Sequence, residues 1–310
     1  QYLFGFIAAA SARAKNPVRH EAYILKQLQG LEMWQGDLVH DAIRHFVIPA
    51  LINREPFVPE RVISDTLAMM RGQFDFSREQ RYRTQGMTKK FGGIHYAALH
   101  PHEYGTEISD AQLQQVETTV VTCLNNLFGL TNLLTEIRQS RSVHCEEVFR
   151  FSLDGVTVTP QLDLLCLDKV GLPTIIDWKI SDSDSSDYAP QLMVYALAIK
   201  NWRKDFRPED FTVLEVNLLR NYVTQYPITA ERLVETEDFI FRSVTKIRSL
   251  VGDNKWESQE FEEFEPAKSF RTCQYCNFRK LCQEVYRDLP SSESVPDPEP
   301  EPTQLQLSLF

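Results

Sequence analysis

The stretch TIIDWKI, residues 174–180, decides the fold of the second half of the chain. Its isoleucines predict a mostly buried β-strand, and their spacing in the sequence puts Asp177 and Lys179 on the same face of that strand. A buried carboxylate or ammonium is costly unless it is paired or coordinated. These two residues could form a simple salt bridge at a strand end, or they could belong to a site that coordinates a ligand. The neighbouring segments have to distinguish these two interpretations.

The segments on either side of this strand alternate between strand and helix patterns. Residues 146–168 predict two strands about an Asp-Gly turn, and residues 189–202 predict a helix. Two further strand-like runs, FTVLEVNLL and YVTQYPI, precede a long helix expected from about Thr229 to Val251. Strands flanked by helices predict an α/β fold.

The whole chain divides by pattern into five segments. We expect a helical N-terminal region that carries His40, a helical insertion with a basic run, the α/β core, a cysteine segment, and a disordered acidic linker that ends in a short apolar motif. The predicted boundaries are 1–53, 54–140, 141–252, 253–287 and 288–310. The basic run consists of Arg78, Arg81, Arg83, Lys89 and Lys90.

Composition narrows the class of protein. The chain has 310 residues, of which 43% are hydrophobic, so it has enough apolar residues for a full core. It has no apolar run of membrane-spanning length and its opening is too short for a signal peptide, so we expect a cytoplasmic protein with no membrane contact. The net charge is -10, but residues 288–310 hold five acidic residues and no basic one, which leaves -10 + 5 = -5 elsewhere. DNA binding through a local basic channel therefore remains open.

Further polar residues can join Asp177 and Lys179 in one site. Asp163 lies in another apolar strand, and two buried acids on neighbouring strands make a natural Mg²⁺ site. Gln191 and Tyr195 are four residues apart on one helix face and can lean over the same place. His40 points to the packed side of its helix, where an ordinary core histidine is the alternative interpretation.

This constellation resembles the RecB-like branch of the PD-(D/E)XK nuclease superfamily. The pattern of that branch is a helical G-x-x-x-H, a Glu, an Asp, a D-x-K strand and a Q-x-x-x-Y helix. It is matched by Gly36 with His40, Glu146, Asp163, Asp177 with Lys179, and Gln191 with Tyr195. The sequence departs from the pattern at Pro160, where the family usually has a glycine. Glu146 is preferred to Glu147 because of its spacing to Phe149.

The resemblance implies a restriction-endonuclease-like core, with a mixed sheet flanked by helices. It also implies that His40, Asp163, Asp177 and a carbonyl near Trp178 hold Mg²⁺ or Mn²⁺, and that Lys179 lowers the pKa of a water or stabilises developing charge. Glu146 would orient a ligand or a second metal, and Gln191 and Tyr195 would position Lys179 or the phosphate.

The expected reaction is phosphodiester hydrolysis, with exonuclease action on single-stranded DNA ends as the first interpretation. A structure-selective or defence endonuclease is the alternative. A catalytically weak DNA-binding adaptor, whose acids hold a structural ion, is a third interpretation from a different class.

Three cysteines, Cys273, Cys276 and Cys282, form a C-x2-C-x5-C segment. It resembles the C-terminal part of the iron–sulfur staple of AddB-type and CRISPR-associated RecB-like nucleases, in which a fourth cysteine precedes the histidine motif. The first cysteine of this sequence is Cys123. A [4Fe-4S] cluster, a Zn²⁺ site completed by a histidine such as His20, and a metal-free segment all remain open. The other cysteines, Cys123, Cys145 and Cys166, are expected to be ordinary buried thiols.

The chain ends in QLSLF after a stretch rich in Pro, Asp and Glu. This ending resembles the peptide by which bacterial proteins dock on the β sliding clamp, which implies a bacterial or phage protein that acts at the nucleoid. The residues concerned are Gln306, Leu307, Leu309 and Phe310. A tail that folds back on its own domain is the alternative interpretation.

Overall fold

The computed structural model describes residues 3–9, 11–56, 58–182, 188–251, 267 and 270–285. The predicted acidic linker and its terminal motif lie outside these residues. The chain divides into two compact units, each assembled from segments distant in sequence. The first unit draws its described residues from 3–34, 70–108 and 248–285, and the second from 35–69 and 109–247. The five segments predicted from the sequence stay a prediction about domain organisation.

Twelve α-helices lie within the described residues. They are α1 (Pro17–Lys26), α2 (Leu31–Ala42), α3 (Ile48–Ile52), α4 (Pro59–Arg78), α5 (Lys89–Gly92), α6 (His100–Tyr104), α7 (Asp110–Gly129), α8 (Thr131–Gln139), α9 (Ala189–Trp202), α10 (Ala230–Val251), α11 (Phe270–Gln274) and α12 (Arg279–Val285). A π-helical segment, Ile43–Val47, connects α2 to α3. None of these helices is long and apolar enough to span a membrane.

Seven strands form one large sheet and one small one. They are β1 (Ser142–Val148), β2 (Phe151–Leu153), β3 (Val156–Val158), β4 (Gln161–Leu167), β5 (Pro173–Lys179), β6 (Thr212–Asn217) and β7 (Tyr222–Gln225). The large sheet has the order β1-β4-β5-β6-β7. Only the β5–β6 pair is parallel within it, and α9 makes the crossover between those two strands. The predicted α/β class with a mixed sheet flanked by helices is confirmed.

The Asp-Gly turn joins two strands that are shorter than the sequence predicts. The structure has four strands in this region, where the sequence predicts two over residues 146–168. Asp154 and Gly155 form the turn, with φ angles of 46° and 77°. This tight turn pairs β2 with β3 as a separate hairpin. The Phe149 backbone N–H donates a 2.9 Å hydrogen bond to the Pro160 carbonyl. This bond connects the two ends of the segment that carries the hairpin, where the chain leaves β1 and enters β4.

Helix α9 forms the centre of the core in the second unit. Every residue from Leu192 to Ile199 is buried, and these side chains pack with Leu165, Ile175 and Val213 of the sheet. An apolar helix without a polar face is expected where a helix is covered on all sides. The helix is therefore held rigidly over the same sheet face that carries Asp177 and Lys179.

A charged network organises the first unit. Glu103, whose side chain is 1% exposed, accepts hydrogen bonds from Arg83, Tyr82 and Lys280 at 2.6–2.9 Å. Arg83 also makes two hydrogen bonds to Glu21. Because Lys280 lies between the last two cysteines of the sequence, this network helps to hold the cysteine segment against the helices of its own unit.

Candidate active site

Asp177 and Lys179 lie on β5, in the middle of the large sheet. The Lys179 Nζ atom is 2.8 Å from Asp177 Oδ2, so the pair predicted from the sequence forms. The Asp177 side chain is only 1% exposed, and neither of its carboxylate oxygens accepts an aligned hydrogen bond from any described residue. Proximity to Lys179 is thus the main compensation for this buried carboxylate. Such an incompletely satisfied group is costly in a protein interior.

The sheet register lines up further carboxylates with Asp177. The β4–β5 pairs run as far as Leu164 with Ile176, and one further step along that register places Asp163 opposite Asp177. Likewise, the β1–β4 pairs on either side of Glu146 place it opposite Asp163. On the other side, Glu215 of β6 is the register partner of Asp177 and is buried. Four acidic residues therefore cross four adjacent strands in one row.

The backbone also departs from regular geometry at this row. Glu146 lies within β1 but has a φ of 53°, in the left-handed region that side chains other than glycine adopt rarely. Its Oε2 accepts a 2.6 Å hydrogen bond from Gln161 Nε2. Asp163 Oδ2 accepts a 2.8 Å hydrogen bond from the Trp178 backbone N–H. These bonds fix the orientation of two carboxylates that have no ammonium partner of their own among the described residues.

His40 brings the helical region to these acids. Its Nδ1 is 3.7 Å from Glu146 Oε1 and 3.7 Å from Asp163 Oδ2. His40 lies in the last turn of α2, immediately before the π-helical segment. A π-helical turn within a helix is frequent at functional sites. His40 therefore faces a carboxylate pair and is not an ordinary core histidine.

The pKa values reflect the excess of acidic groups. Burial and the Asp163 charge raise the pKa of Asp177 to about 7, although Lys179 opposes the shift. Burial also raises the pKa of Asp163, against the attraction of His40. Burial lowers the pKa of His40, but Asp163 and Glu146 outweigh it and raise the value to about 9. All three shifts have the direction expected of a site that holds more negative than positive charge.

Side chains of α9 and of the residue before it hold Lys179 on the side opposite Asp177. Lys179 Nζ donates a 3.0 Å hydrogen bond to Gln191 Oε1, and Gln191 Nε2 donates a 2.5 Å hydrogen bond to the Tyr195 hydroxyl oxygen. The ring of Tyr188, just before α9, lies 4.3 Å from the same ammonium. Gln191 and Tyr195 therefore reach the site through Lys179, as their spacing predicts.

The side chains fit a divalent cation. One ligand atom from each of His40, Glu146 and Asp163 can be chosen so that all lie within 4.8 Å of one another. The buried oxygens of Asp177 lie on the adjacent strand without hydrogen bonds from described residues. Carboxylates suit Mg²⁺ and Mn²⁺, and imidazole is a further nitrogen ligand for transition metals. A cation would also offset the surplus negative charge of the row.

The comparison with protein-family models agrees with this geometry. The model of the PD-(D/E)XK nuclease superfamily matches residues 10–283. The chain belongs to the PD-(D/E)XK nuclease superfamily. No curated protein matches the chain. Six chains of solved structures match it; the crystal structure of SSO0001 is 14% identical, with coverage of 60% of this chain and 80% of the SSO0001 chain and a TM-score of 0.28.

Glu146, and not Glu147, lies beside His40 and Asp163 in the candidate site. Glu147 Oε2 lies 2.6 Å from His144 Nδ1 and is half exposed, whereas Glu146 faces His40. The site also includes Gln161, Tyr188 and Glu215, which are not among the residues predicted from the sequence. Gln161 precedes Asp163 by two residues on one strand, so the period of two could have identified it. Tyr188 and Glu215 depend on tertiary contacts and register and carry no comparable sequence signal.

The cysteine segment docks through other side chains. The Asn277 carbonyl accepts a 2.7 Å hydrogen bond from the Tyr104 hydroxyl, and the Phe278 ring packs 5.8 Å from Phe4. Among the described residues, the sulfurs of Cys273, Cys276 and Cys282 do not gather into a group within 4.8 Å. A tetrahedral Zn²⁺ site with Zn–S bonds of about 2.3 Å needs sulfurs closer than that. The three sulfurs, as described, are therefore not preassembled for a tetrahedral Zn²⁺ site.

Two of the three remaining cysteines are buried thiols, and the third is partly exposed. Cys123, Cys145 and Cys166 are all free, and the first and last of them are buried. Burial raises the pKa of each thiol to about 12. A thiol with so high a pKa is a poor nucleophile at neutral pH.

Proposed function

We propose that this protein is a metal-dependent deoxyribonuclease that hydrolyses phosphodiester bonds, and that it acts as an exonuclease on single-stranded DNA ends in the bacterial cytoplasm. The observation that supports this most directly is Asp177, a buried carboxylate without aligned hydrogen bonds, in a row of acids beside Lys179. The superfamily membership supports the reaction class. The likeness of the His40 and Gln191–Tyr195 motifs to RecB-like nucleases supports the exonuclease assignment.

We assign the metal to His40, Asp163, Asp177 and a carbonyl near Trp178. Bound Mg²⁺ or Mn²⁺ would polarise the scissile phosphate and make a water molecule more acidic. Lys179 contributes a fixed positive charge where negative charge develops on the phosphate, and this group is worth most in a site where few waters compete. Its ammonium needs no reorganisation, because Gln191 and the Tyr188 ring already hold it beside Asp177.

Glu146 and Gln161 act together in this proposal. The amide of Gln161 fixes one oxygen of Glu146, and the other oxygen faces His40. Glu146 therefore orients the imidazole of His40 or holds a second cation. Tyr195 supports Gln191 and, through it, the position of Lys179.

Digestion of a labelled single-stranded oligonucleotide tests the proposed activity. Cleavage is expected with Mn²⁺ and is lost with EDTA. Lys179→Ala should lose about a hundredfold or more of the cleavage rate while the protein stays folded. Lys169→Ala, which changes an exposed lysine in the loop between β4 and β5, is the matched control and should cleave normally. Equal cleavage by the wild-type and Lys179→Ala proteins would refute the active-site assignment, and no cleavage by wild type would favour the DNA-binding adaptor.

Circular and linear DNA distinguish the two modes of nuclease action. An exonuclease needs an end, so circular single-stranded DNA should resist digestion while linear DNA of the same sequence is degraded. Cleavage of the circle at a comparable rate would replace the exonuclease assignment with an endonuclease.

We also propose that Gln306, Leu307, Leu309 and Phe310 recruit the enzyme to the β sliding clamp. A peptide of residues 303–310 should bind the clamp with a Kd on the order of 1 μM. Replacement of Leu309 and Phe310 by Ala should abolish binding, because the apolar subsite would be left unfilled. Removal of the tail should leave cleavage of a short oligonucleotide unchanged. Faster cleavage without the tail, together with no clamp binding, would instead support self-inhibition.

For the cysteine segment we propose a [4Fe-4S] cluster, with the likeness to AddB-type nucleases as its support. Protein purified without oxygen should be brown, and Cys276→Ser should lose the colour and part of the stability. Colourless protein with stoichiometric zinc would refute the cluster. Colourless protein without metal would refute any metal site in the cysteine segment.

A further inference from the structure

An open groove lies within the first unit, at the N-terminal end of α1. Its volume is about 1240 Å³, and its walls come from residues 12–20 and 83–91. Small-molecule pockets usually have volumes of about 300–1,000 Å³ and are largely apolar. This groove is larger than that and open, and it combines basic with apolar side chains, so it is better suited to a segment of a polymer.

The groove is basic. Arg13 and Lys15 line it and are exposed, and they form no ion pair with another described residue. None of the residues lining the groove is acidic. Arg83 also lines the groove, but Glu21 and Glu103 neutralise its guanidinium. Arg83 therefore contributes to the shape of the groove and little to its positive charge.

The basic run of the sequence divides in the same way. Arg78 pairs with Asp75, and Arg81 pairs with Glu79. Lys89 and Lys90, which form the start of α5, are exposed and unpaired among the described residues. The free cations of the run are therefore concentrated on the short helix that also contributes a side chain to the groove.

That side chain is Phe91, which is 71% exposed. It is the most exposed phenylalanine of the described residues with a recorded exposure. A solvent-exposed aromatic ring in a groove that also carries cations is typical of sites at which an unpaired base stacks while its phosphates contact Lys or Arg.

We propose that this groove binds single-stranded nucleic acid, with Phe91 stacking on a base and with Arg13, Lys15, Lys89 and Lys90 contacting phosphates. The inference rests on the proposed nuclease function for its substrate class, but the groove is formed by residues of the first unit and includes none of the proposed catalytic residues. A paired duplex would offer no free base face to Phe91. An acidic peptide would use the cations but not the ring.

Two kinds of variant separate the electrostatic and stacking parts of the groove. Arg13→Gln with Lys15→Gln removes two phosphate contacts, and Phe91→Ala removes the stacking surface. The matched controls are Lys169→Gln with Lys204→Gln, which remove two exposed lysines of the second unit, and Phe241→Ala, which removes a ring that is 54% exposed on α10. All are surface changes, and their folding is checked by thermal unfolding.

Binding is measured on the full chain in EDTA, so that no cleavage is needed for the result. The probe is a fluorescent oligothymidine of about 16 nucleotides, followed by anisotropy between about 50 and 200 mM salt. The Gln double variant should reduce the slope of log K against log salt by about 1.4, since each single-strand phosphate contact contributes about 0.7. Phe91→Ala should weaken binding by about five- to a hundredfold and leave the slope unchanged. Both control variants should bind like wild type.

The alternative outcomes are distinct. Unchanged binding by both groove variants would overturn the inference even if the enzyme cleaves DNA with Mn²⁺. Binding that depends on the groove, in a protein that fails to cleave, would uphold the inference and refute the proposed nuclease function. Equal competition by a hairpin duplex or by polyglutamate would overturn the single-strand assignment, and competition by oligouridine would show whether the groove distinguishes RNA from DNA.

Discussion

Asp177→Asn should make the metal-free protein more stable, although it removes one partner of an ion pair. The substitution keeps the shape of the side chain and removes a charge that is buried, lacks aligned hydrogen bonds, and faces Asp163. Removal of one partner of a buried pair usually destabilises a protein because the other charge is left uncompensated. In the Asp177→Asn protein, the Lys179 ammonium still has its hydrogen bond to Gln191, its contact with the Tyr188 ring and the attraction of Asp163. Its positive charge therefore remains compensated.

The size of the effect follows from the pKa of Asp177. Its value of about 7 in the folded protein compares with 3.8 for an unperturbed aspartate. A raised pKa means that the folded state holds the proton more tightly, so the contribution of the group to stability is complete below pH 3.8 and is lost as the pH rises through 7. The loss is on the order of 4 kcal/mol by pH 8, because each pKa unit corresponds to about 1.4 kcal/mol. Asparagine does not titrate and avoids this loss.

The assay is urea unfolding in EDTA at two pH values. The variant should exceed the wild type by about 2 kcal/mol near pH 5.5 and by up to about 4 kcal/mol near pH 8. Asp238→Asn, at an exposed position on α10, should show no such pH-dependent difference. With Mn²⁺ the order should reverse, because the wild type gains binding energy that the variant cannot gain fully. A variant less stable than wild type in EDTA at pH 8, or a gap that does not grow with pH, would refute the reasoning.

Two further predictions concern residues outside the acidic row. Glu103→Gln should destabilise the protein by about 3–5 kcal/mol in urea unfolding, because Arg83 and Lys280 lose their buried partner; Glu21→Gln, at a more exposed partner of Arg83, should cost much less. Burial raises the pKa of Glu103, but the hydrogen bonds from Arg83 and Lys280 outweigh it and lower the value below 4.5, so this stabilisation should be lost as the pH falls below that value. Gly36→Ala should stabilise the protein by about 0.5–1 kcal/mol, since Gly36 is inside α2 and an added Cβ would meet no neighbouring side chain within 4 Å; a loss of stability would show that the position is crowded.

The elements with strong local patterns could be predicted from the sequence. Helix α9 begins and ends at the predicted residues, because its apolar run is long and starts with a proline in the first turn. The β5 strand follows from its apolar run, and the shared face of Asp177 and Lys179 follows from the period of two along a strand. The same holds for Gln191 and Tyr195, whose spacing of four residues is a property of the helix alone.

The arrangement across strands could not be predicted in this way. The facing of Glu146, Asp163 and Asp177 depends on the register of β1, β4 and β5, and a slip by one residue would turn each strand over. The choice of Glu146 also depends on its φ of 53°, which residue propensities do not predict. The docking of the cysteine segment depends on contacts such as that between Tyr104 and Asn277, which are 173 positions apart.

The acidic row therefore has a cost that the rest of the sheet does not share. From Pro173 to Trp178 the other side chains of β5 are apolar or small and agree with the burial of the strand, whereas Asp177 places a charge there beside Asp163 and Glu215. Glu146 adds a left-handed backbone conformation, and His40 is followed by a π-helical turn. Local departures of this kind persist where the surrounding structure over-determines them, and they concentrate at functional sites. In this chain they converge on one group of side chains whose surplus negative charge a divalent cation would offset. Asp177→Asn should therefore stabilise the metal-free fold and abolish the proposed activity, since the carboxylate that weakens the sheet is also one of the ligands that we propose for the cation.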